Sequence, residues 1–343
     1  MTYIIAEIGQ NHNGSLRMAT ALIDMCANPT PGRQPQAVTT RGVDAVKLTK
    51  RDLSAECVPS MMAAPYDSAH AFGDTYGEHR AALELSGEEH HDLYDYAKAF
   101  GLDFVETLCA VSCVEDICGR FTPDRLKVAS RDLTNIPLLE AMAETNIPII
   151  LSTGMADLAD ITDAIDTVVR YHNDISVLHC LSAYPARYTD LNLYRIPSLK
   201  AMTGRPVGYS DHSLGIVAPV AAVAMGATII EKHVTLDRSM RGSDHAGSLE
   251  RDGLWRMVRD IRSTEVALGT ARIQCHPSAE PARMKLERSC VTAADLPAGT
   301  MLTESDITLL SPGGGVKWRD RHTIIGQTLT EAMPAGTVIY ADL

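Results

Sequence analysis

The runs Val207-Gly208-Tyr209-Ser210-Asp211-His212 and Ala227-Thr228-Ile229-Ile230-Glu231-Lys232-His233 decide the fold. Each is short and apolar before it turns polar, the texture of a buried strand reaching its exit. The segment between them, 215–226, holds one helix and is bounded by Gly215 and Gly226. Strand, helix and strand at this spacing form a parallel βαβ unit, because parallel neighbours need a crossover. Such neighbours bring their C-terminal ends to one edge, so His212 and His233 fall side by side. Two neutral imidazoles there suit half of a divalent-metal site. Two unrelated polar residues at strand exits are the competing reading.

The same alternation runs outward from this unit. Strands are expected at 3–8, 43–48, 103–106, 126–128, 147–151, 176–180, 206–208 and 228–232. Helices are expected at 15–26, from the Ser86-Gly87-Glu88-Glu89 capping pattern to about 100, after Thr107, and at 136–144, 158–171, 196–202, 216–225 and 252–268. Eight strand–helix pairs in about 270 residues match a (β/α)8 TIM barrel, an α/β fold of roughly 250 residues. A doubly wound sheet would show GxGxxG after its first strand. The first strand runs instead into Gly9-Gln10-Asn11-His12-Asn13-Gly14.

Two stretches interrupt the pattern. Residues 28–41 carry Pro29, Pro31 and Pro35 and read as a surface excursion. Residues 65–80 are polar and aromatic and read as irregular. Beyond Leu268 the texture changes, giving a catalytic barrel over 1–272, a linker over 273–287 and a small all-β module over 288–343. At about 55 residues that module is near the lower limit of independent stability.

Composition narrows the class. A chain of 343 residues with 22% charged side chains is globular. A net charge of −12 argues against non-specific nucleic-acid binding and leaves room for a local basic pocket. No apolar run approaches the roughly 18–20 residues that span a bilayer, and the N-terminus has no basic leader. Eight cysteines show no CxxC pair; Cys109, Cys113 and Cys118 read as small buried thiols of a reducing, cytoplasmic setting.

In a barrel the chemistry sits at the strand exits. Those exits carry Glu7, Lys47, Thr107, Lys127 with Ser130, Ser152, Ser182 with Tyr184, Ser210 with His212, and Glu231 with His233. Lysines and hydroxyls on one mouth are what a phosphorylated, carboxylated anion needs.

Several runs carry a family resemblance: Ile5-Ala6-Glu7-Ile8-Gly9-Gln10-Asn11-His12-Asn13-Gly14, Lys127-Val128-Ala129-Ser130, Leu151-Ser152-Thr153-Gly154-Met155, His179-Cys180 with Tyr184-Pro185, Gly208-Tyr209-Ser210-Asp211-His212 and Glu231-Lys232-His233. Over nearly its whole length the chain resembles the sialic acid synthase family. The C-terminal module resembles that family's antifreeze-like SAF domain, a β-clip. The resemblance implies condensation of phosphoenolpyruvate with an N-acyl hexosamine to a nonulosonic 2-keto acid and phosphate. It implies a manganese or magnesium ion on His212 and His233, and phosphoenolpyruvate on Lys47, Thr107, Lys127, Ser130, Ser182 and Ser210. It implies catalytic roles for Glu7, Glu231 and His233, acceptor contacts from Tyr184 and Asp244, and a dimer in which one chain's C-terminal domain caps its partner's barrel.

The sequence also departs from that pattern. Leu48-Thr49 stands where the family has an aromatic or histidine followed by glutamine, and Ser182 where it has asparagine. Ser311, before Pro312-Gly313, replaces an arginine that reaches into the partner's site; Lys317, Arg319 and Arg321 are the nearby cations. The acceptor side is therefore expected to use Thr49, His79 and Arg80. The alternatives are a synthase for a phosphorylated or unusual aldose, and a catalytically silent sugar-binding relative.

Overall fold

The computed structural model describes residues 1–27 and 42–342, so the excursion expected at 28–41 lies outside the described residues. The chain divides into two units, Met1–Gly269 and Thr270–Leu343. In the first, β1 (Tyr3–Gly9) leads to α1 (Leu16–Ala27) and then to β2 (Ala45–Lys50). The passage after β2 was expected to be irregular. It forms three short helices, α2 (Leu53–Glu56), α3 (Pro59–Met62) and α4 (Tyr76–Ala81), before α5 (Gly87–Ala99). Both α4 and α5 begin with capping boxes, Thr75 with Glu78 and Ser86 with Glu89.

From there strand and helix alternate: β3 (Asp103–Leu108), α6 (Val111–Cys118), β4 (Arg125–Val128), α7 (Ile136–Glu144), β5 (Ile149–Ser152), α8 (Leu158–Val169), β6 (Ile175–Cys180), α9 (Arg195–Thr203), β7 (Val207–Asp211), α10 (Val217–Ala224), β8 (Ile229–His233) and α11 (Arg251–Leu268). All strand pairs of β1–β8 are parallel, and β8 closes on β1. This is the (β/α)8 barrel that the alternation predicts.

The two-residue period of a strand explains where the chemistry lies. Ile5, Ala45, Val105, Ile150, Leu178 and Ile229 pack together as the apolar floor inside the barrel. Two residues further along the same strands stand Glu7, Lys47, Thr107, Ser152, Cys180 and Glu231. The floor excludes water from below while the next layer is polar, so the interior becomes a cup open at the C-terminal ends of the strands. The outward residues, among them Ile4, Val46, Phe104 and Ile230, pack against the helices in a separate core.

In the second unit, the stretch expected as a linker carries a 3-10 turn (Pro277–Ala279) and α12 (Glu280–Leu286). Beyond it β9 (Ser289–Thr292) pairs antiparallel with β10 (Ile307–Leu310). Single bridges such as Leu296 to Met333 and Met301 to Thr328 extend the β character. Cys290, Leu302, Ile307, Ile324, Leu329 and Ile339 form this unit's own small core.

Candidate active site

A cavity of about 530 Å³ opens at the barrel mouth, and every strand contributes to its wall. At its centre the Lys47 ammonium lies 2.6 Å from Glu7 Oε2 and 3.8 Å from Glu231 Oε2. It also donates to Thr107 Oγ1 at 2.8 Å. Ser210 Oγ donates to Glu231 Oε1 at 2.8 Å. All five groups are buried.

Burial pushes the Glu7 carboxyl up, to about 7, against the pull of Lys47 and with the help of Glu231. Burial also works to raise Glu231, but Lys127, Lys47 and the Ser210 hydroxyl outweigh it and hold that carboxyl at about 2. Two carboxylates sharing one lysine thus titrate apart, the signature of an acid and a base in one site. Lys47 is raised, burial being overcome by Glu231 and Glu7, whereas burial lowers Lys127.

The same cavity also carries hydrogen-bond donors of a kind that suits an anion. Lys127 Nζ donates to Val128 O at 3.0 Å and makes no ion pair within 4.0 Å among the described residues. The buried Ser152 Oγ has no hydrogen-bond partner in the described structure. Gly154 N donates to Ser130 Oγ at 3.0 Å. A Cβ on Gly154 would meet Cys180 Sγ and Ser182 Oγ at 2.5 Å and Ser130 Oγ at 2.9 Å. Only glycine lets these groups converge, and the hydroxyls of Ser130, Ser152 and Ser182 line the same cavity as the Lys127 ammonium, donors that suit a phosphate.

His212 and His233 face each other with ring centroids 5.8 Å apart. His212 Nδ1 lies 2.7 Å from Leu181 O, which fixes that nitrogen as the donor and turns Nε2 towards the Tyr184 hydroxyl at 3.1 Å. His233 Nδ1 is buried without a partner. Burial lowers both imidazoles, His212 to about 4 with His233 adding to the effect, so both are neutral at physiological pH. Neutral paired imidazoles with one unpartnered buried nitrogen fit a divalent ion. Among the described residues no group of three His, Cys, Asp or Glu side chains converges on one point. A cation here would therefore complete its shell with water or substrate oxygens.

Thr49, Arg80, Tyr184 and Asp244 line the same cavity. Arg80 donates to Gln10 Oε1 at 2.6 Å and to the Tyr76 hydroxyl at 2.9 Å. Among the expected site residues His79 alone stands apart. It does not line the cavity; it is fully buried, stacked on Tyr66 at 4.6 Å, and accepts from Phe72 N at 3.1 Å. The reason is the helical turn of α4, which sends adjacent residues to different faces.

Arg51, Ser68, His70 and Arg131 also line the cavity and were not anticipated. Arg51 follows β2 and Arg131 follows Ser130, so the strand-exit rule already held the signal. Both arginines are tied to Glu56. The Gln10-Asn11-His12-Asn13-Gly14 motif proves mainly structural. Asn11 joins Val234 O and Ser248 Oγ at 2.8 and 2.9 Å, and His12 is buried, while Gln10 reaches the cavity. In the C-terminal unit Ser311 Oγ donates to Leu286 O at 2.9 Å. The nearby cations are engaged within that unit, Lys317 with Glu287, Arg319 with Asp320 and Arg321 with Glu304.

Comparison with known proteins adds a second line of observation. The sequence profile of the NeuB family matches residues 36–272, and that of the SAF domain matches residues 287–343. The chain is 36% identical to the N,N'-diacetyllegionaminic acid synthase of Legionella pneumophila, covering 98% of this chain and 93% of that protein. It is also 36% identical to the N-acetylneuraminate-9-phosphate synthase of Homo sapiens, covering 99% and 92%. The crystal structure of the N-acetylneuraminic acid synthetase of Leptospira borgpetersenii superposes with a TM-score of 0.68 at 30% identity, covering 82% and 90%.

Proposed function

The chain belongs to the NeuB family and carries a SAF domain, and from that premise we propose that it condenses phosphoenolpyruvate with an N-acyl hexosamine to a nonulosonic 2-keto acid, releasing phosphate. The observation that carries this reading is one cup holding an anion wall around Lys127, a split carboxylate pair on Lys47 and two facing neutral histidines. Names of relatives such as the N,N'-diacetyllegionaminic acid synthase support the product class.

Lys47, Thr107, Lys127, Ser130, Ser182 and Ser210 bind the phosphate and carboxylate of phosphoenolpyruvate. His212 and His233 hold manganese or magnesium, which when bound supplies Lewis-acid polarisation of the acceptor's carbonyl. The acceptor lies against Tyr184, Asp244, Thr49 and Arg80, placing its open-chain aldehyde within reach of C3 of phosphoenolpyruvate. As the C3–C1 bond forms, Glu7, poised near neutrality, delivers a proton to the aldehyde oxygen. Glu231, ionised, takes the proton from the water that adds at C2. The C2 tetrahedral intermediate then collapses to the ketone and expels phosphate.

Met155 and Tyr184 line the cavity yet are 64% and 58% exposed, an apolar rim that suits cover by a second copy's C-terminal unit. The described chain has no helix long and apolar enough to cross a membrane, and all eight cysteines are free. We place the enzyme in the cytoplasm. Inorganic phosphate release from phosphoenolpyruvate, measured against a panel of free and 6-phosphorylated N-acyl hexosamines with manganese, tests the proposal. Release that needs an acceptor supports it; no release with any acceptor, alongside measurable sugar binding, favours a silent sugar-binding protein.

A further inference from the structure

On β7 and β8 the side chains that line the cavity alternate with side chains on the outer face of the barrel wall. Ser210 and His212 on one strand, and Glu231 and His233 on the other, line the cavity. Asp211 and Lys232 lie between them and are register partners. They meet behind the histidines at 2.6 Å with both side chains fully buried. The same face is apolar one step below, where Val207, Tyr209 and Ile230 pack against the helices. A buried ion pair in such a layer adds little net stability over an apolar pair of similar volume, so its placement asks for another reason.

The hydrogen bonds supply it. Asp211 Oδ1 accepts from Ser213 N and from the Tyr209 hydroxyl, each at 2.9 Å. Lys232 Nζ donates to Ser213 O as well as to Asp211 Oδ2. Residues 211 and 213, on either side of His212, are therefore both held by Lys232, the direct neighbour of His233. The clamp fixes the backbone turn at His212 from the side no substrate reaches.

We infer that Asp211 and Lys232 are positioning residues that set His212 against His233 and thereby the affinity for the divalent cation. The inference rests on the proposal that these histidines hold that ion. Groups that orient a metal's ligands typically contribute about 10- to 100-fold to its affinity.

The test is Mn2+ binding to the purified full-length protein, read from the loss of the free-ion EPR signal, with phosphoenolpyruvate affinity measured in parallel by calorimetry. Wild type binds Mn2+ and His212→Ala/His233→Ala does not; absence of wild-type binding would overturn the metal reading itself. Lys232→Met weakens Mn2+ binding by about tenfold or more while phosphoenolpyruvate affinity changes less than about twofold. If that variant does not fold, Asp211→Asn/Lys232→Met removes both charges and shows the same split. If neither folds, Tyr209→Phe, which removes only one hydroxyl from the clamp, weakens Mn2+ binding by about threefold. Wild-type Mn2+ affinity in a folded Lys232→Met, in the folded double variant or in Tyr209→Phe overturns the inference.

Discussion

Replacing Lys47 by methionine keeps most of the side-chain volume and removes the ammonium that pairs with both Glu7 and Glu231. In the folded protein Lys47 is 2.6 Å from one carboxylate and 3.8 Å from the other, and all three are buried. Removing one partner of a buried pair costs about 3–5 kcal/mol, which in a domain of this size lowers the melting temperature on the order of 10 °C. The deficit depends on pH with a defined sign. Glu7 already stands at about 7 in the fold against an ordinary value of 4.5. Between those values the folded state binds a proton that the unfolded chain does not, so stability falls as pH rises through the window. Without Lys47 the folded value climbs further, so the deficit of Lys47→Met is larger at pH 8 than at pH 6. Adding Glu7→Gln removes the stranded carboxylate and restores a substantial part of the loss, while both variants are expected to be inactive because they lack the ammonium proposed to bind phosphoenolpyruvate. Scanning fluorimetry at matched scan rate, run from pH 6 to 8, measures all of this. A single variant within about 2 °C of wild type, or a double variant no better than the single, would refute the reasoning.

Other positions give independent expectations. Burial, with His90 adding, lowers His12 to about 3. From the ordinary value of about 6.5 down to there the unfolded chain binds the extra proton, so stability falls by about 1.4 kcal/mol per pH unit on acidification; His12→Asn flattens that slope in urea titrations between pH 6 and 4. Gly154→Ala drives a methyl into Ser182, Cys180 and Ser130, and should raise KM for phosphoenolpyruvate by about tenfold or more while costing about 1–3 kcal/mol of stability. Arg80→Ala is expected to raise the acceptor's KM and leave that for phosphoenolpyruvate within about twofold, a loss of acceptor binding alone. His79→Ala instead shows as faster limited proteolysis within 65–81, because its ring supports that passage from inside.

The barrel was legible because a short apolar run followed by a helical run recurs eight times. The polar layer was legible for the same reason. Once Ile5 or Ile229 is placed inward, Glu7 and Glu231 must follow two residues later. The passage after β2 was not legible, because helices of four to six residues leave too few turns to show a period. His79 went astray on one helical step: it and Arg80 are adjacent in sequence, yet α4 buries one and turns the other to the cavity. Arg51 and Arg131 sat at readable positions, but the tie of Arg131 to Glu56, 75 residues away in sequence, is a contact that no local pattern encodes. In the sequence Asp211 and Lys232 stand only as members of two separate motifs. Only the register of β7 on β8 shows them as a pair behind the histidines.

The central claim is that this cup joins phosphoenolpyruvate to an aldose. Its most direct test is the mass of the product formed from phosphoenolpyruvate and a mixed N-acyl hexosamine panel with Mn2+, before and after chelation. The account predicts a new 2-keto acid whose mass equals one acceptor plus phosphoenolpyruvate plus water less phosphoric acid, lost on chelation and regained with manganese. Unconsumed phosphoenolpyruvate across the whole panel, with the metal-loaded protein folded, would contradict it.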